Sequence, residues 1–151
     1  MGKKRIYYRL FVKRIPPHSY VNSAYMMEED VYAFSRKGAE NVFFNYHRNG
    51  YGDHIIYGFR EIPKSEFRGQ NRGGHLVPVP IRQAIENAKA YELWPSGPAS
   101  VTVKFLNREG YADSINLELH GPDMETELEE LWKNSHDEMG ADLDSVQYVM
   151  V

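Results

Sequence analysis

The stretch HRNGYGDH, residues 47 to 54, holds the side chains of this chain best suited to chemistry. Two imidazoles on one face of a β-hairpin make half of a transition-metal site, with further ligands supplied from elsewhere. Whether His47 and His54 share a face depends on the turn between them. A two-residue Asn49-Gly50 turn puts both rings on one side, beside Asn45, whereas a three-residue turn sends them to opposite sides.

A related stretch sixty residues later bears on the choice. Arg48-Asn49-Gly50-Tyr51-Gly52-Asp53-His54-Ile55 and Arg108-Glu109-Gly110-Tyr111-Ala112-Asp113-Ser114-Ile115 coincide at Arg, Gly, Tyr, Asp and Ile. In the later copy Val101, Val103 and Phe105 must share a face with Ile115, Leu117 and Leu119, while Thr102, Lys104, Ser114, Asn116 and Glu118 face water. That register requires a three-residue loop, Arg108-Glu109-Gly110, with Gly110 in the left-handed position and Asn107 opposite Tyr111. The same turn in the earlier copy places His47 opposite Tyr51, Asn45 opposite Asp53 and Phe43 opposite Ile55. His54 then points away from His47, so neither a metal site nor a cofactor is expected. The hairpin also becomes apolar on both faces, with Phe43, Ile55, Tyr57 and Phe59 on one and Val42, Phe44, Tyr46 and Ile56 on the other. One helical layer covers only one of these, which leaves the other for a further part of the domain or for another molecule.

Three further constellations carry chemistry. Tyr7, Arg9, Phe11 and Lys13 lie on the off-core face of the first strand, and Tyr57-Gly58-Phe59-Arg60 on the third. Rings and cations interleaved on neighbouring strands can stack unpaired bases and hold phosphates. The loop FRGQNRGGH brings Arg68, Arg72 and His75 toward a helix N-terminus, where an anion would find both cations and free N–H groups. The stretch from Asp123 to Asp144 has nine carboxylates against the single Lys133, with Asp137, Glu138 and Asp142 near or past a helix C-terminus, where the dipole disfavours them. Within this stretch, Glu130 on the helix and Asp137 near its end suit a basic partner. No Gly-x-Ser-x-Gly, His-Glu-x-x-His or Gly-Lys-Ser/Thr pattern is present, so no catalytic residue is assigned.

The elements that must position these groups follow from periodicity. Residues 6 to 15 alternate Ile6, Tyr8, Leu10 and Val12 against Tyr7, Arg9, Phe11 and Lys13, a half-buried strand. Ser23 is placed to cap a helix running to Lys37, with Met27, Val31 and Phe34 as its buried stripe and Gly38 as its stop. Strands are expected near 41–47 and 52–62, and a long loop over 63–79. A helix follows from Pro80 to about Leu93, with Ile81, Ile85 and Ala88 facing inward. The second hairpin spans 100–119. A third helix, from Gly121-Pro122 to Gly140, presents Met124, Leu128, Leu131 and Trp132 on one face, and SVQYVMV closes the chain as a strand. The expected class is α+β, a mainly antiparallel sheet with helices in βαββαβ (ferredoxin-like) order extended by β-α-β, as one domain over 1–151.

Composition narrows the function classes. A chain of 151 residues can bury a core without staples, and the lack of any cysteine excludes disulfides, thiolate metal sites and thiol catalysis. The opening MGKKRIYYRLFVKR carries charge throughout its apolar run, unlike a secretory signal, and no apolar stretch approaches membrane-spanning length. A cytoplasmic protein with no membrane partner is expected. The net charge of -3 conceals a gradient: residues 1–82 hold 14 Lys/Arg against 7 Asp/Glu, and residues 83–151 hold 4 against 14. The expected function is non-catalytic binding through protein contacts, of inhibitor, immunity or adaptor type. The partner is another protein or a second copy, and Phe44, Tyr46, Ile56 and Trp132 are the anchors. The alternatives are single-stranded nucleic-acid binding, through Tyr7, Arg9, Phe11, Lys13, Tyr57 and Arg60, and a small phosphoester- or nucleotide-acting enzyme built on the Arg72 loop.

Overall fold

Alternating apolar residues build β1 (Ile6–Ile15), and it pairs antiparallel on both sides, with β2 (Tyr25–Ala33) and β3 (Asp53–Glu61). The computed structural model describes residues 4–17, 24–48 and 52–151. Helix α1 (Arg36–His47) follows β2, and a 3-10 turn (Lys64–Glu66) and β4 (Arg72–His75) complete a first unit, Met1–Leu76. Its sheet has the order β3-β1-β2-β4. The unit's core is Tyr8, Leu10, Val12, Val31 and Ala33 from the central strands, packed with Ala39 and Phe43 of α1.

The second unit, Val77–Val151, contains α2 (Ile81–Ala90), β5 (Ala99–Leu106), β6 (Ala112–Leu119), α3 (Met124–Ser135) and β7 (Val146–Met150). Its sheet has the order β6-β5-β7. Ile81, Ile85 and Ala88 of α2 and Leu128 and Trp132 of α3 pack on Val101, Val103 and Phe105. The β5–β6 register sets Val101 opposite Leu117 and Val103 opposite Ile115. The Asn107 N–H donates to the Tyr111 carbonyl, and Gly110 takes φ +87° in the turn.

The α+β class holds, with antiparallel sheets and three helices among the described residues, but the element order of the first unit differs from βαββαβ. Residues 25–33, expected as a helix, form β2, and residues 41–47, expected as a strand, lie in α1. The proposed cap Ser23 lies outside the described residues; the cap used is Ser35, whose hydroxyl accepts from the Gly38 N–H at 3.0 Å. Met27 and Val31 fit a helical stripe at i and i+4, yet they equally share one face of a strand with Ala33. In the later segment Ala39, Val42, Phe43 and Tyr46 recur with helical spacing, which competes with the alternation of Val42, Phe44 and Tyr46. Both short runs satisfy two periods, and pairing with β1 decides between them. The two-faced first hairpin therefore does not form. Its tip, Asn49-Gly50-Tyr51, lies outside the described residues. Arg48 is the C-cap of α1 whereas Arg108 follows β5, so the two similar stretches are entered from different elements, although Asp53 and Asp113 both lie at the start of strands, β3 and β6.

The long loop at 63–79 also contains more order than expected. A 3-10 turn opens it, and β4 pairs Gly73 with Glu29 and Arg72 with Asp30. A side chain at Gly73 would run into the Glu28 carbonyl, so the close approach of β4 to β2 needs glycine there.

Candidate functional site

Strand β2 has the sequence Glu28-Glu29-Asp30 at its centre, and the strand alternation sends neighbouring carboxylates to opposite faces of the sheet. Glu29 and Asp30 are both buried, at 3% and 0% exposure, and with Arg9 they are the only buried polar or charged residues among those described. Charges in such positions persist only when paired.

On the side of the sheet facing α1, Glu29 meets His47 at the last turn of the helix. His47 Nε2 lies 2.9 Å from both Oε1 and Oε2 of Glu29. The His47 ring stacks on His54 of β3, with centroids 4.3 Å apart and planes tilted by 34°. Phe43, one helical turn earlier, lies beneath both imidazoles, at 4.5 Å from His47 and 5.4 Å from His54. Burial pushes the Glu29 carboxyl above its ordinary value, opposed by the His47 hydrogen bond. Burial pulls His54 below its ordinary value, and the positive charges of His47 and Arg14 act in the same direction. Among the described residues, the buried Nε2 of His54 makes no hydrogen bond.

This arrangement corrects the reading of His47 and His54 as pointing apart. That reading required both residues to be strand residues of one hairpin; a helix end placed over a neighbouring strand brings the rings together regardless of hairpin register. The outcome is still not a chelate. Stacked rings present their faces to each other rather than two lone pairs to one ion, and no group of three or more potential metal ligands occurs among the described residues.

On the opposite face Asp30 accepts from Arg9 Nε at 2.8 Å and from Arg9 Nη2 at 3.1 Å, a bidentate pair between directly opposed cross-strand residues. The same carboxylate accepts the Arg68 N–H at 3.0 Å, and Arg9 Nη2 also donates to the Glu66 carbonyl. Gln70 accepts from the Tyr32 N–H, and the Phe67 ring sits 4.8 Å from Tyr7 and 6.0 Å from Tyr32. The chain's own 66–70 segment thus occupies one end of this face. The bare platform of rings and cations expected there is corrected accordingly. Arg9 is committed to Asp30, Tyr7 packs on Phe67, and Phe11 is 2% exposed. Lys13 and Arg60 are half-buried, and Arg60 stands opposite Arg9. Tyr57 is exposed and is skipped in the pairing with β1, where Ile56 faces Val12 and Gly58 faces Phe11.

Arg68 lies 3.8 Å from Glu28. Arg72 and His75 do not converge on a helix N-terminus as expected. They sit three residues apart on β4, opposite Asp30 and Met27, which belong to opposite faces of β2. His75 packs on Tyr25 at 5.1 Å.

Of the contact candidates, Phe44 and Tyr46 are exposed at 40% and 62%. Ile56 packs partly buried against the first core, and Glu130 is exposed. Trp132 cannot anchor a partner, because it is fully buried in the core of the second unit and donates its indole N–H to the Leu143 carbonyl at 2.9 Å. Helical spacing alone does not distinguish a core face from a contact face. Asp137 accepts from Arg108 Nη2 at 2.6 Å, and Asp142 from Arg108 Nε at 3.0 Å. Asp137 and Asp142 therefore answer the arginine of the β5–β6 turn, which resolves the unfavourable position of these two relative to the helix dipole.

Sequence reasoning missed Glu29 and Asp30, which look like the acidic first turn of a helix. Their signal was available: three consecutive acids inside an apolar run, followed by histidine and preceded by arginine at positions that could answer both. Comparison with family models, with curated proteins and with solved structures gives no match for this chain. Among the described residues no helix is long and apolar enough to cross a membrane.

Proposed function

We propose that the chain is a non-catalytic binding protein acting through protein-protein contacts, with α1 of the first unit as the contact surface and a second copy as the partner. The observation that carries this reading is the exposure of Phe44 and Tyr46 on α1. These rings flank the buried stripe formed by Ala39 and Phe43, and aromatic side chains left in water are the residues that contribute most when an interface closes. Phe34, just ahead of α1, is exposed as well.

Charge supports the choice of partner. Residues 1–76 hold 13 Lys/Arg against 7 Asp/Glu, and residues 77–151 hold 5 against 14. Within the first unit Glu28 pairs with Arg68 and Asp30 with Arg9, one cation to one anion each, so the excess of cations over acids, 13 against 7, stays with the remaining side chains. The acidic second unit of another copy has the complementary sign. Arg9, Glu29 and Asp30, by contrast, are buried, and with the half-buried His47 they are committed to one another in pairs.

Light scattering on the purified protein tests the proposal. The expected result is a mass above that of one chain at low ionic strength, falling toward one chain with added salt and in a Phe44→Asp, Tyr46→Asp variant. A single-chain mass at low salt overturns it. Nucleic acid co-purifying with a single-chain species, seen in the ultraviolet absorbance ratio, would instead favour nucleic-acid binding by the basic unit.

A further inference from the structure

The stacked imidazoles on Glu29 have a consequence that does not depend on the partner. The geometry points to an acid-sensitive latch: Glu29, His47 and His54 hold the C-terminal end of α1 against β2 and β3 while the ring pair carries at most one proton, and a second proton releases it.

The charges around the stack come from every element packed on it. Strand β2 contributes Glu29, whose two oxygens are both engaged by His47 Nε2. Asp30 lies on the other face of the same strand, committed to Arg9. Strand β1 contributes Arg14, the register partner of His54, and β3 contributes His54 together with the exposed Asp53. One proton on the pair is matched by the Glu29 carboxylate. A second places two imidazolium rings with centroids 4.3 Å apart, beside Arg14, with a single buried anion, Glu29, on the His47 side. Among the described residues, the buried Nε2 of His54 has no acceptor for an N–H. Such a donor, charged and unpaired away from water, is the costly case. Moving His54 into water relieves it. The rings then separate, and the last turn of α1 loses its contact with β3.

The sign follows from which state holds the proton more tightly. His54 is depressed in the folded chain. Its contribution is present in full above the unfolded value near 6.5 and is lost as pH falls from there through the folded value. Glu29 is raised, so its contribution runs the other way: it is present below the unfolded carboxyl value and is lost as pH rises through the folded one. Glu29 therefore opposes acid release in energy, and His54 is the group that drives it.

The test is hydrogen exchange on the full chain as pH falls below about 6.5, corrected for intrinsic rates, comparing amides of Phe43 to His47 with those of Leu128 to Trp132 as an internal control. The expected result is loss of α1 protection by up to about tenfold per pH unit, with α3 unchanged, and abolition of that loss in His54→Phe, which keeps a ring in the stack. Equal loss in both helices, no loss in α1, or undiminished loss in the variant would each overturn the latch. Should His54→Phe fail to fold, the imidazole titrations of the unmodified protein decide. Coupled curves, with His54 titrating below its ordinary value, support the latch, and two independent ordinary curves refute it.

Discussion

The two units solve one architectural problem with opposite placements of charge. Each lays helix on one face of an antiparallel sheet. The first buries Arg9, Glu29 and Asp30 within its sheet, whereas the second buries no charged residue and keeps its ion pairs outside. In the second unit Arg82 of α2 holds Glu125 and Glu129 of α3, Lys89 joins Glu125, and Arg108 gathers Asp137 and Asp142. The same chemistry has different consequences in the two places. An exposed pair exchanges one solvated state for another and contributes little. A buried pair binds its elements together because neither member can be left alone, and it makes the fold sensitive to protonation. The first unit is thus the more specific and the more conditional half of this protein.

Substitutions that strand one member of a pair break the comparison most sharply. Arg9→Met leaves Asp30 buried with, among the described residues, only the Arg68 N–H on its side chain. The expected loss is about 3–5 kcal/mol for the first unit, read from exchange of the Leu10 and Val12 amides. A loss well under that range would mean water reaches Asp30. Replacing both partners, Arg9→Met with Asp30→Leu, should recover much of the stability, since an apolar pair of similar volume substitutes well for a buried ion pair.

A smaller effect is expected at the edge of the same sheet. Gly73→Ala drives a methyl group into the Glu28 carbonyl, and the displacement of β4 should cost about 1–3 kcal/mol. Loss of protection confined to β4 and its partner residues in β2 would identify the cause; an unchanged β4 would contradict it. Removing the α1 cap with Ser35→Ala should cost about 1 kcal/mol, seen as fraying of the first turn in exchange or helical circular dichroism. The smallest effect belongs to the second unit. Arg82→Met removes an exposed cation bridging two glutamates and should leave urea unfolding, followed by the fluorescence of Trp94 and Trp132, unchanged within error. A resolvable shift there would show that the exposed network stabilises more than its solvation suggests.

Much of the second unit was legible in the sequence because its signals agree with one another. Pro80 and the Ile81, Ile85, Ala88 spacing mark α2, and the Val101, Val103, Phe105 alternation fixes the hairpin faces. Gly110 answers the turn that this register requires. In the first unit only β1 is equally clear. The run from Tyr25 to His47 offers Met27 and Val31 to a helix or a strand, and Val42 and Phe44 to a strand or Phe43 and Ala39 to a helix. The chain settles each against its local appearance. Three acids look like a helix start, and a run of aromatics looks like a strand. The candidate site was hidden for the same reason, since Glu29 and His47 become partners only when the first is in a strand and the second in a helix.

The sequence by itself determined the α+β class, the β1 faces, the β5–β6 register and the absence of cysteine chemistry, because these depend on short-range alternation, turn residues and composition. Tertiary structure alone decided that β2 is a strand, that Arg9 answers Asp30, and that His47 stacks on His54 above Glu29. The physical reason is that a charge is tolerated inside a sheet only through the partner brought to it from elsewhere in the chain, and no local period records where that partner will be.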